Sequence, residues 1–302
     1  MSATGNILVG GGTGFIGKSL CNLLKQRGYG VTVISRMPGI HRISWNELQD
    51  SGLPKDTKAV VNLAGQNVMD ITRRWTSGFK QNVFHSRVNT TKTLASLIDK
   101  THEKPNVFVT ISGVGAYKPS TTSEYTEDSV VQPFDFFSGL CRDWENAAQL
   151  NDNKSKCRLA TIRSGVVLGR DGGMIKQLYL PFFLGLGGPV GSGSQFMPWI
   201  HIDDLTHLIL FAIENPKVDG ILNGVAAKPC TNLEFSKAFA KALKRPAIFP
   251  VPTFVFNALL SKERAIMITE GQKVIPKKTI ALGFKHKYPD IETACKELVA
   301  KK

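Results

Sequence analysis

The sequence has no apolar run long enough to cross a membrane. A membrane-spanning helix needs about 18–20 consecutive apolar residues, and none of the 302 residues belongs to such a run. The longest candidate, residues 179–190, is interrupted by Pro181, Pro189 and glycines. We therefore expect no membrane-embedded segment.

Cysteine is scarce and its spacing is irregular. The five cysteines are odd in number and scattered, and none forms a Cys-x-x-Cys motif. This pattern favours a reducing compartment, and neither the cysteines nor the six histidines have the spacing of a metal site. The first apolar run begins at Ile7, too early for a preceding signal or transit peptide. The sequence predicts a cytoplasmic protein, or one in another reducing intracellular compartment, without a metal.

Acidic residues are in the minority. The 24 Asp and Glu face 38 Lys and Arg, which gives a formal net charge of +14. Basic clusters at residues 273–278 and 296–302 could contact nucleic acid, but no nucleic-acid-binding motif accompanies them. A basic surface also attracts anionic cofactors and substrates. We expect a small-molecule substrate of unknown identity rather than nucleic acid, and the sequence leaves open whether two copies form a homodimer.

A glycine-rich turn follows the first predicted strand. Gly11, Gly14 and Gly17 come directly after the apolar run at residues 7–9 and open a segment with helical periodicity. Glycine lets the backbone approach a pyrophosphate, and a helix N-terminus offers free N–H groups and a favourable dipole. This context predicts a dinucleotide-binding site, whose contacts include the other residues of the turn: Thr13, Phe15 and Ile16.

The same segment also fits a second motif. Residues 12–19 match the phosphate-binding loop of nucleotide triphosphatases, G-x-x-x-x-G-K-[ST]. Those enzymes need an aspartate at the end of a later apolar strand to help hold Mg²⁺. The nearest such strand carries Asn62 in the acidic position. Because a neutral amide binds a divalent cation poorly, the sequence favours the dinucleotide site.

Predicted strands and helices alternate through the first half of the chain. The apolar patterns predict further strands at 31–34, 59–63, 107–111 and 158–167, and helices at 81–100 and 136–150. This alternation predicts an α/β fold of the Rossmann type, with a doubly wound parallel sheet that binds ligands at the C-terminal ends of its strands. We expect a nucleotide-binding core over residues 1–165 and a smaller α+β substrate-side region over residues 166–302, with some later segments returning to the core.

The end of the second predicted strand indicates which dinucleotide binds. In a NAD site, an acidic residue about 20 positions beyond the glycines binds the ribose 2′-hydroxyl. This chain has Ser35 and Arg36 there and no nearby carboxylate. A guanidinium matches a 2′-phosphate in charge and geometry. The sequence therefore favours NADP(H) over NAD, the alternative being that Arg36 is a solvated residue at a strand end.

Several motifs spread over nearly the whole chain resemble those of one enzyme family. They are the glycine turn, residues 62–65 (NLAG), Ser112 after a strand, residues 163–169 (RSGVVLG) and residues 198–204 (PWIHIDD). The chain resembles an extended short-chain dehydrogenase/reductase of the NAD-dependent epimerase/dehydratase family, and more narrowly its atypical epimerase-like branch.

The resemblance implies a set of cofactor contacts. It implies that Ser35 and Arg36 face the adenosine ribose phosphate, and that five further residues line the cofactor: Leu63, Ala64, Asn82, Arg87 and Ile162. Ordinary packing at strand ends would equally explain Leu63, Ala64 and Ile162, and Arg87 could pair with a phosphate or simply bind a carbonyl group.

The sequence departs from the family in its catalytic pair. Family reductases use Tyr-x-x-x-Lys, in which the lysine lowers the tyrosine pKa so that the phenol exchanges a proton with the substrate oxygen. Counting back from Glu145, the lysine position falls on Cys141 and the tyrosine position on Phe137. General acid–base catalysis contributes about 10²–10⁴ in rate. We therefore expect ordinary alcohol–ketone chemistry by this pair to be absent or weak.

Ser112 and Tyr117 are the candidate catalytic residues. Ser112 stands where the family has its substrate-orienting hydroxyl, and Tyr117 lies five residues on in the same strand-end loop, where it could donate a proton or pack on the cofactor. His201 and Cys141 are better explained as buried structural residues, and an aspartate at 203 or 204 as the cap of a helix starting near residue 205.

Two functions remain open. The first is an NADP(H)-dependent oxidoreductase or epimerase-like enzyme with an unidentified substrate and proton donor. The second is an NADPH-binding sensor or interaction protein without turnover. The missing Tyr-x-x-x-Lys pair favours the second, and the cofactor-binding residues are compatible with both.

Overall fold

The structure is a computed structural model that describes residues 5–37, 39–70, 72–151 and 157–300. The last two residues of the basic cluster at 296–302 lie outside this part of the chain. The strands are β1 (Asn6–Gly10), β2 (Gly30–Ile34), β3 (Arg42–Ile43), β4 (Thr57–Asn62), β5 (Val107–Gly113), β6 (Glu124–Tyr125), β7 (Arg158–Ser164), β8 (Val166–Gly169), β9 (Trp199–His201), β10 (Gly220–Gly224) and β11 (Lys273–Val274).

The helices surround these strands. They are α1 (Phe15–Gln26), α2 (Trp45–Ser51), α3 (Ser77–His85), α4 (Val88–Lys100), α5 (Phe136–Ala147), α6 (Gly173–Phe183), α7 (Ile202–Glu214), α8 (Asn232–Leu243), α9 (Thr253–Leu259), α10 (Lys262–Thr269), α11 (Lys277–Ala281) and α12 (Ile291–Val299). Within the described ranges, each helix is too short or too polar to traverse a membrane.

Seven strands form one parallel sheet in the order β3-β2-β1-β4-β5-β7-β10. From β1 the chain first moves outward through β2 and β3, then crosses to the other side of β1 to form β4. Ligands of doubly wound sheets bind outside the carboxyl ends of the strands at such a reversal. The predicted Rossmann-type fold is confirmed.

Both faces of the sheet are buried, which explains why its strands read as continuous apolar runs. In β1, Ile7 and Val9 pack in the cluster that includes the apolar faces of α1 and α7, whereas Leu8 packs on the opposite face with Leu94 and Ile98 of α4. A second core lies away from the sheet, between α6, α8 and α12. The later elements are thus divided, because α7 and β10 join the sheet layers while α6, α8 and α12 build a separate core.

Two elements predicted as continuous are broken. The helix expected at 81–100 is two helices, α3 and α4, which separate at Ser86 and Arg87 because the Ser86 hydroxyl turns to accept a hydrogen bond from the Gln66 amide (2.9 Å) and to donate one to Val83 O (3.1 Å). The strand expected at 158–167 breaks at Gly165, where a Cβ would come 2.6 Å from Pro198 O, and β8 then leaves the sheet to pair with β9.

A buried carboxylate fastens the C-terminal part of the chain to the sheet. Glu127 accepts hydrogen bonds from the backbone N–H groups of Asn223 (3.1 Å), Lys278 (3.0 Å) and Thr279 (3.1 Å). It therefore joins β10 to the start of α11. A buried carboxylate is tolerated when its oxygens are hydrogen-bonded in this way.

Candidate nucleotide-binding and active site

At two of the three key positions of the glycine turn after β1, only glycine fits without strain or a steric clash. Gly11 has φ +74°, and a Cβ there would lie 2.7 Å from the backbone of Leu63. A Cβ at Gly17 would collide with Gly11 O and with the backbone of Gly12. Gly14 differs, because its φ is −75° and a Cβ would approach only Gly11 O, at 3.3 Å. The backbone at Gly14 is therefore open to a ligand.

The N-terminus of α1 points its amides at this open space. Gly14 is the N-cap residue and no side chain caps the helix, so the first-turn N–H groups stay available to an anion. Thr13 is exposed, whereas Phe15 and Ile16 are half-buried. The Phe15 ring fills space that Gly169 and Gly172 leave free, since a Cβ at either would come within 2.6 Å of it. Phe15 thus also holds α1 against the start of α6.

Asn62 shapes the end of β4 beside the glycine turn. Its side-chain oxygen accepts the Ala64 N–H (3.1 Å), and its amide group donates to the Thr91 hydroxyl (2.8 Å). The Leu63 N–H donates to Gly10 O (2.8 Å). These bonds place residues 63 and 64 directly against Gly11. Asn62 is therefore a structural residue and offers no replacement for a magnesium-binding aspartate.

Ser35 and Arg36 lie at the end of β2. Ser35 is buried, and its hydroxyl accepts a hydrogen bond from the Met37 amide (3.1 Å). Arg36 is exposed and forms no hydrogen bond or ion pair with any other described residue. A guanidinium without a protein partner is free to bind a phosphate.

Arg87 lies in the break between α3 and α4, with its guanidinium directed back toward the end of β4. It donates to Val83 O (3.2 Å), stands 5.2 Å from the Trp144 ring centroid, and lies so close to Gly65 that a Cβ there would be 3.1 Å from it. No described carboxylate pairs with it. Burial lowers the pKa of Arg87 to about 10. The residue therefore presents a partly desolvated cation, which favours an anionic ligand.

The two remaining predicted cofactor contacts occupy different environments. Asn82 is exposed on α3, one turn before the break at Arg87. Ile162 is fully buried in the main core, where it pairs with Ile111 and Leu222 of the neighbouring strands. Both contacts stay predictions, and Ile162 in this structure has no exposed surface.

Ser112 and the α5 side chains lie together at the C-terminal end of β5. Ser112 is buried, and its hydroxyl has no partner with hydrogen-bond geometry, although it lies close enough to the Cys141 thiol to influence its pKa. The thiol donates to Gly113 O (3.6 Å), and burial raises its pKa to about 11. Cys141 is thus a neutral, packed thiol. Phe137, one turn earlier, stacks on Trp75 with ring centroids 5.4 Å apart.

The structure buries Tyr117, for which the sequence analysis offered proton donation or packing on the cofactor. Its side chain is 1% exposed. The hydroxyl lies 2.8 Å from the Asn223 side-chain oxygen and 3.1 Å from Thr126 O, and it accepts a hydrogen bond from Arg163 (3.1 Å). Burial raises the pKa of Tyr117 further. The donor and acceptor capacity of Tyr117 is thus used inside the protein in this structure, and its catalytic role stays a prediction.

The pair Glu145–Arg163, which the sequence analysis did not recognise as a pair, anchors α5 to β7. Arg163 donates two hydrogen bonds of 2.8 Å to the two carboxylate oxygens. The side chains are 14% and 7% exposed. Burial alone would lower the pKa of Arg163, but the hydrogen bonds and charge of Glu145 outweigh it and raise the pKa. An arginine within an otherwise apolar strand was the available signal for a buried partner.

His201 has a structural position, as expected. Its ring Nδ1 accepts the Asp203 N–H (3.2 Å), so His201 itself is the N-cap of α7. The expected cap at Asp203 or Asp204 is wrong, because the helix begins earlier and Asp204 instead accepts the amides of Lys287 and Tyr288. Burial lowers the pKa of His201.

The seven-stranded parallel sheet with a glycine turn at its reversal defines a Rossmann-type nucleotide-binding architecture. The sequence profile of the NAD dependent epimerase/dehydratase family matches residues 7–223, and the chain belongs to this family, as the resemblance predicted. Residues 251–298 match a second profile, described as a domain of unknown function (DUF1731).

Individual relatives match almost end to end. The epimerase family protein SDR39U1 of Bos taurus is 52% identical over 97% of this chain and 99% of its own. The crystal structure of human epimerase family protein SDR39U1 (isoform 2) with NADPH is 50% identical, with a TM-score of 0.95 over 97% of this chain and 99% of that one. A chloroplastic SDR39U1 homologue of Arabidopsis thaliana is 37% identical over 97% of this chain and 86% of its own.

Proposed function

We propose that the protein is an NADP(H)-dependent oxidoreductase or epimerase-like enzyme that lacks the Tyr-x-x-x-Lys pair of its family and acts on a substrate not yet identified. The observation that carries this proposal is the uncapped start of α1. Its amides open onto the space beside Gly14, at the reversal of the sheet. The neighbouring strand β2 ends just before Arg36, whose guanidinium pairs with no other described residue. The NADPH present in the human relative's structure supports the same cofactor.

The residues present fit such a cofactor. The turn from Gly11 to Gly17 would hold the pyrophosphate through backbone amides, with Ser35 and Arg36 on the 2′-phosphate. Leu63 and Ala64 would line the cofactor. Asn82 and Arg87 would also line the cofactor, with Ser112 orienting the substrate. Ile162, assigned to the nicotinamide side, is fully buried in this structure and would have to become exposed to make that contact. When bound, the reduced cofactor supplies a hydride.

The Tyr-x-x-x-Lys pair is missing from the whole sequence, not only from α5. None of the five tyrosines is followed by lysine four residues later, so the pair does not occur elsewhere in the sequence. Phe137 and Cys141, the residues assigned to its positions, are both buried. The alternative function, an NADPH sensor without turnover, rests on the missing pair. A measurement of turnover decides between the enzyme and the sensor.

Titrating the unmodified protein and the Arg36→Ala variant with NADPH and with NADH tests the cofactor assignment. A charge-assisted hydrogen bond contributes about 1.5–3 kcal/mol, or roughly 10- to 150-fold in affinity. The affinity of the variant for NADPH should therefore fall by about that factor, and its affinity for NADH should be nearly unchanged. Arg142→Ala, which removes an exposed arginine on α5, is the matched control and should leave both affinities as they are. Equal losses for both cofactors in the Arg36 variant would refute the assignment.

We also propose a reducing intracellular compartment. All five cysteines are buried as thiols, which a reducing environment maintains. The relatives give no single location, since one of them is named as chloroplastic.

A further inference from the structure

The polar groups nearest the end of β5 have no proton free for a ligand in this structure, or are unactivated. This inference rests on the proposed function, in which the substrate binds there beside the nicotinamide. The thiol of Cys141 already donates to Gly113 O (3.6 Å). The phenol of Tyr117 is committed to Asn223 and Thr126. Ser112 has a hydroxyl, but an unactivated hydroxyl is a weak acid.

The same region presents an aromatic wall. Phe137 stacks on Trp75 at an interplanar angle of 29°, and Phe136 packs edge-on to both rings with centroids 5.6 and 5.4 Å away. Glu263 of α10 accepts a hydrogen bond from the Trp75 indole N–H, and the guanidinium of Arg264 lies 5.5 Å from its ring centroid. The C-terminal part of the chain therefore fixes Trp75 against Phe137. Such a wall favours a planar, apolar ligand.

Arg87 adds a positive charge near Cys141, one turn after Phe137 on α5. Its guanidinium lies against Trp144, which is one helical turn from Cys141 on α5. No described carboxylate neutralises it. A cation in this environment stabilises negative charge that develops on a ligand.

These features together select the kind of hydride acceptor. Hydride addition to a simple ketone leaves an alkoxide, which is about as basic as hydroxide and far more basic than a phenolate. A side-chain acid must protonate it as it forms. Hydride addition to a quinone instead leaves a delocalised phenolate, whose pKa is near that of tyrosine, about 10. That anion can leave the site and take its proton from water.

We propose that the substrate is a quinone, bound against Trp75 and Phe137 and reduced by two electrons to the hydroquinone. The quinone gains one hydride from the reduced nicotinamide to become the hydroquinone anion, and the nicotinamide is left oxidised. The anion then takes one proton from water. Arg87 stabilises the anion, and no side chain is required to donate a proton.

Binding of menadione, a naphthoquinone, provides a test independent of turnover. With NADP⁺ bound, menadione should quench tryptophan fluorescence in a saturable way. Trp75→Phe should remove most of the quenching, whereas the control Trp45→Phe, on α2, should retain it. Absence of saturable quenching, or quenching that survives in Trp75→Phe, would overturn the inference.

Turnover is measured without oxygen, so that the hydroquinone is not reoxidised. Menadione should be reduced at least about 10²-fold faster than simple ketones and aldehydes, the lower range of general-acid effects. Its rate should be nearly independent of pH between about 6 and 9, since no side chain with a pKa in that range donates the proton. Equal or faster reduction of simple ketones would overturn the proposal, as would no reduction of menadione by protein that binds NADPH.

Restoring the missing pair gives a gain-of-function test. Phe137→Tyr combined with Cys141→Lys should raise ketone reduction by about 10²-fold or more, with a rate that falls at high pH as the new phenol ionises. If the buried lysine prevents folding, the single variant Phe137→Tyr is tested instead. The matched control is Phe134→Tyr, at an exposed position before α5, which should leave the rates unchanged. No gain in either folded variant would contradict the role assigned to this position. A preparation that binds no NADPH would refute the proposed function itself.

Discussion

Replacing Glu145 by glutamine should lower the free energy of unfolding by about 3–5 kcal/mol, the usual cost of removing one partner of a buried ion pair. The two side chains are 14% and 7% exposed, and Arg163 meets the carboxylate through two 2.8 Å hydrogen bonds. Solvent screening therefore reduces this interaction little. The variant would leave a buried guanidinium with only the neutral Tyr117 hydroxyl as a close partner.

A double-mutant cycle isolates the interaction. Glu145→Gln, Arg163→Met and the double variant are compared by urea unfolding followed by circular dichroism. The double variant leaves no uncompensated charge, so its loss should be smaller than the sum of the two single losses by more than about 1 kcal/mol. Additive losses, or a loss below about 1 kcal/mol in Glu145→Gln, would refute the reasoning. The surface pair Arg142–Asp143 is the control, since Asp143→Asn should cost no more than about 1 kcal/mol.

Three further outcomes follow from the structure. Gly14→Ala should lower NADPH affinity at nearly unchanged stability, because its Cβ would enter the ligand space. Gly17→Ala should instead destabilise the fold, because its Cβ would collide with Gly11. Calorimetry measures the loss of affinity, and urea unfolding measures the loss of stability. Tyr117→Phe should cost about 1–3 kcal/mol of stability by leaving buried Asn223 short of a partner, while turnover per folded molecule persists; loss of turnover at full stability would contradict its structural assignment. Burial lowers the pKa of His201 below its usual 6.5, so the unfolded chain binds more protons between the two values and stability should fall as pH drops below about 6.5. His201→Asn should reduce that pH dependence in urea unfolding at pH 7 and 5.5, and an unchanged dependence would argue against it.

The local part of the site could be read from the sequence. The glycine turn depends on residues close together in the chain, and its strand–turn–helix context follows from periodicity, so Gly11, Gly14 and Gly17 could be identified directly. The alternation of strands and helices likewise gave the parallel sheet, because both signals arise within single elements.

The missed features depend on contacts between distant parts of the chain. Asn62 looked like a failed magnesium ligand, but its role comes from Thr91, 29 residues away. The break before Arg87 depends on a hydrogen bond to Gln66 across 20 residues. Tyr117 seemed available for catalysis because nothing local shows that Asn223, 106 residues further on, binds its hydroxyl. Periodicity carries no information about such partners.

Calorimetric titration of the purified, unmodified protein with NADPH and then with NADH tests the central claim most directly. The account predicts one site per chain, with NADPH bound roughly 10- to 150-fold more tightly than NADH, the contribution of a charge-assisted contact at the 2′-phosphate. No measurable heat with either nucleotide, or equal affinity for both, would contradict it.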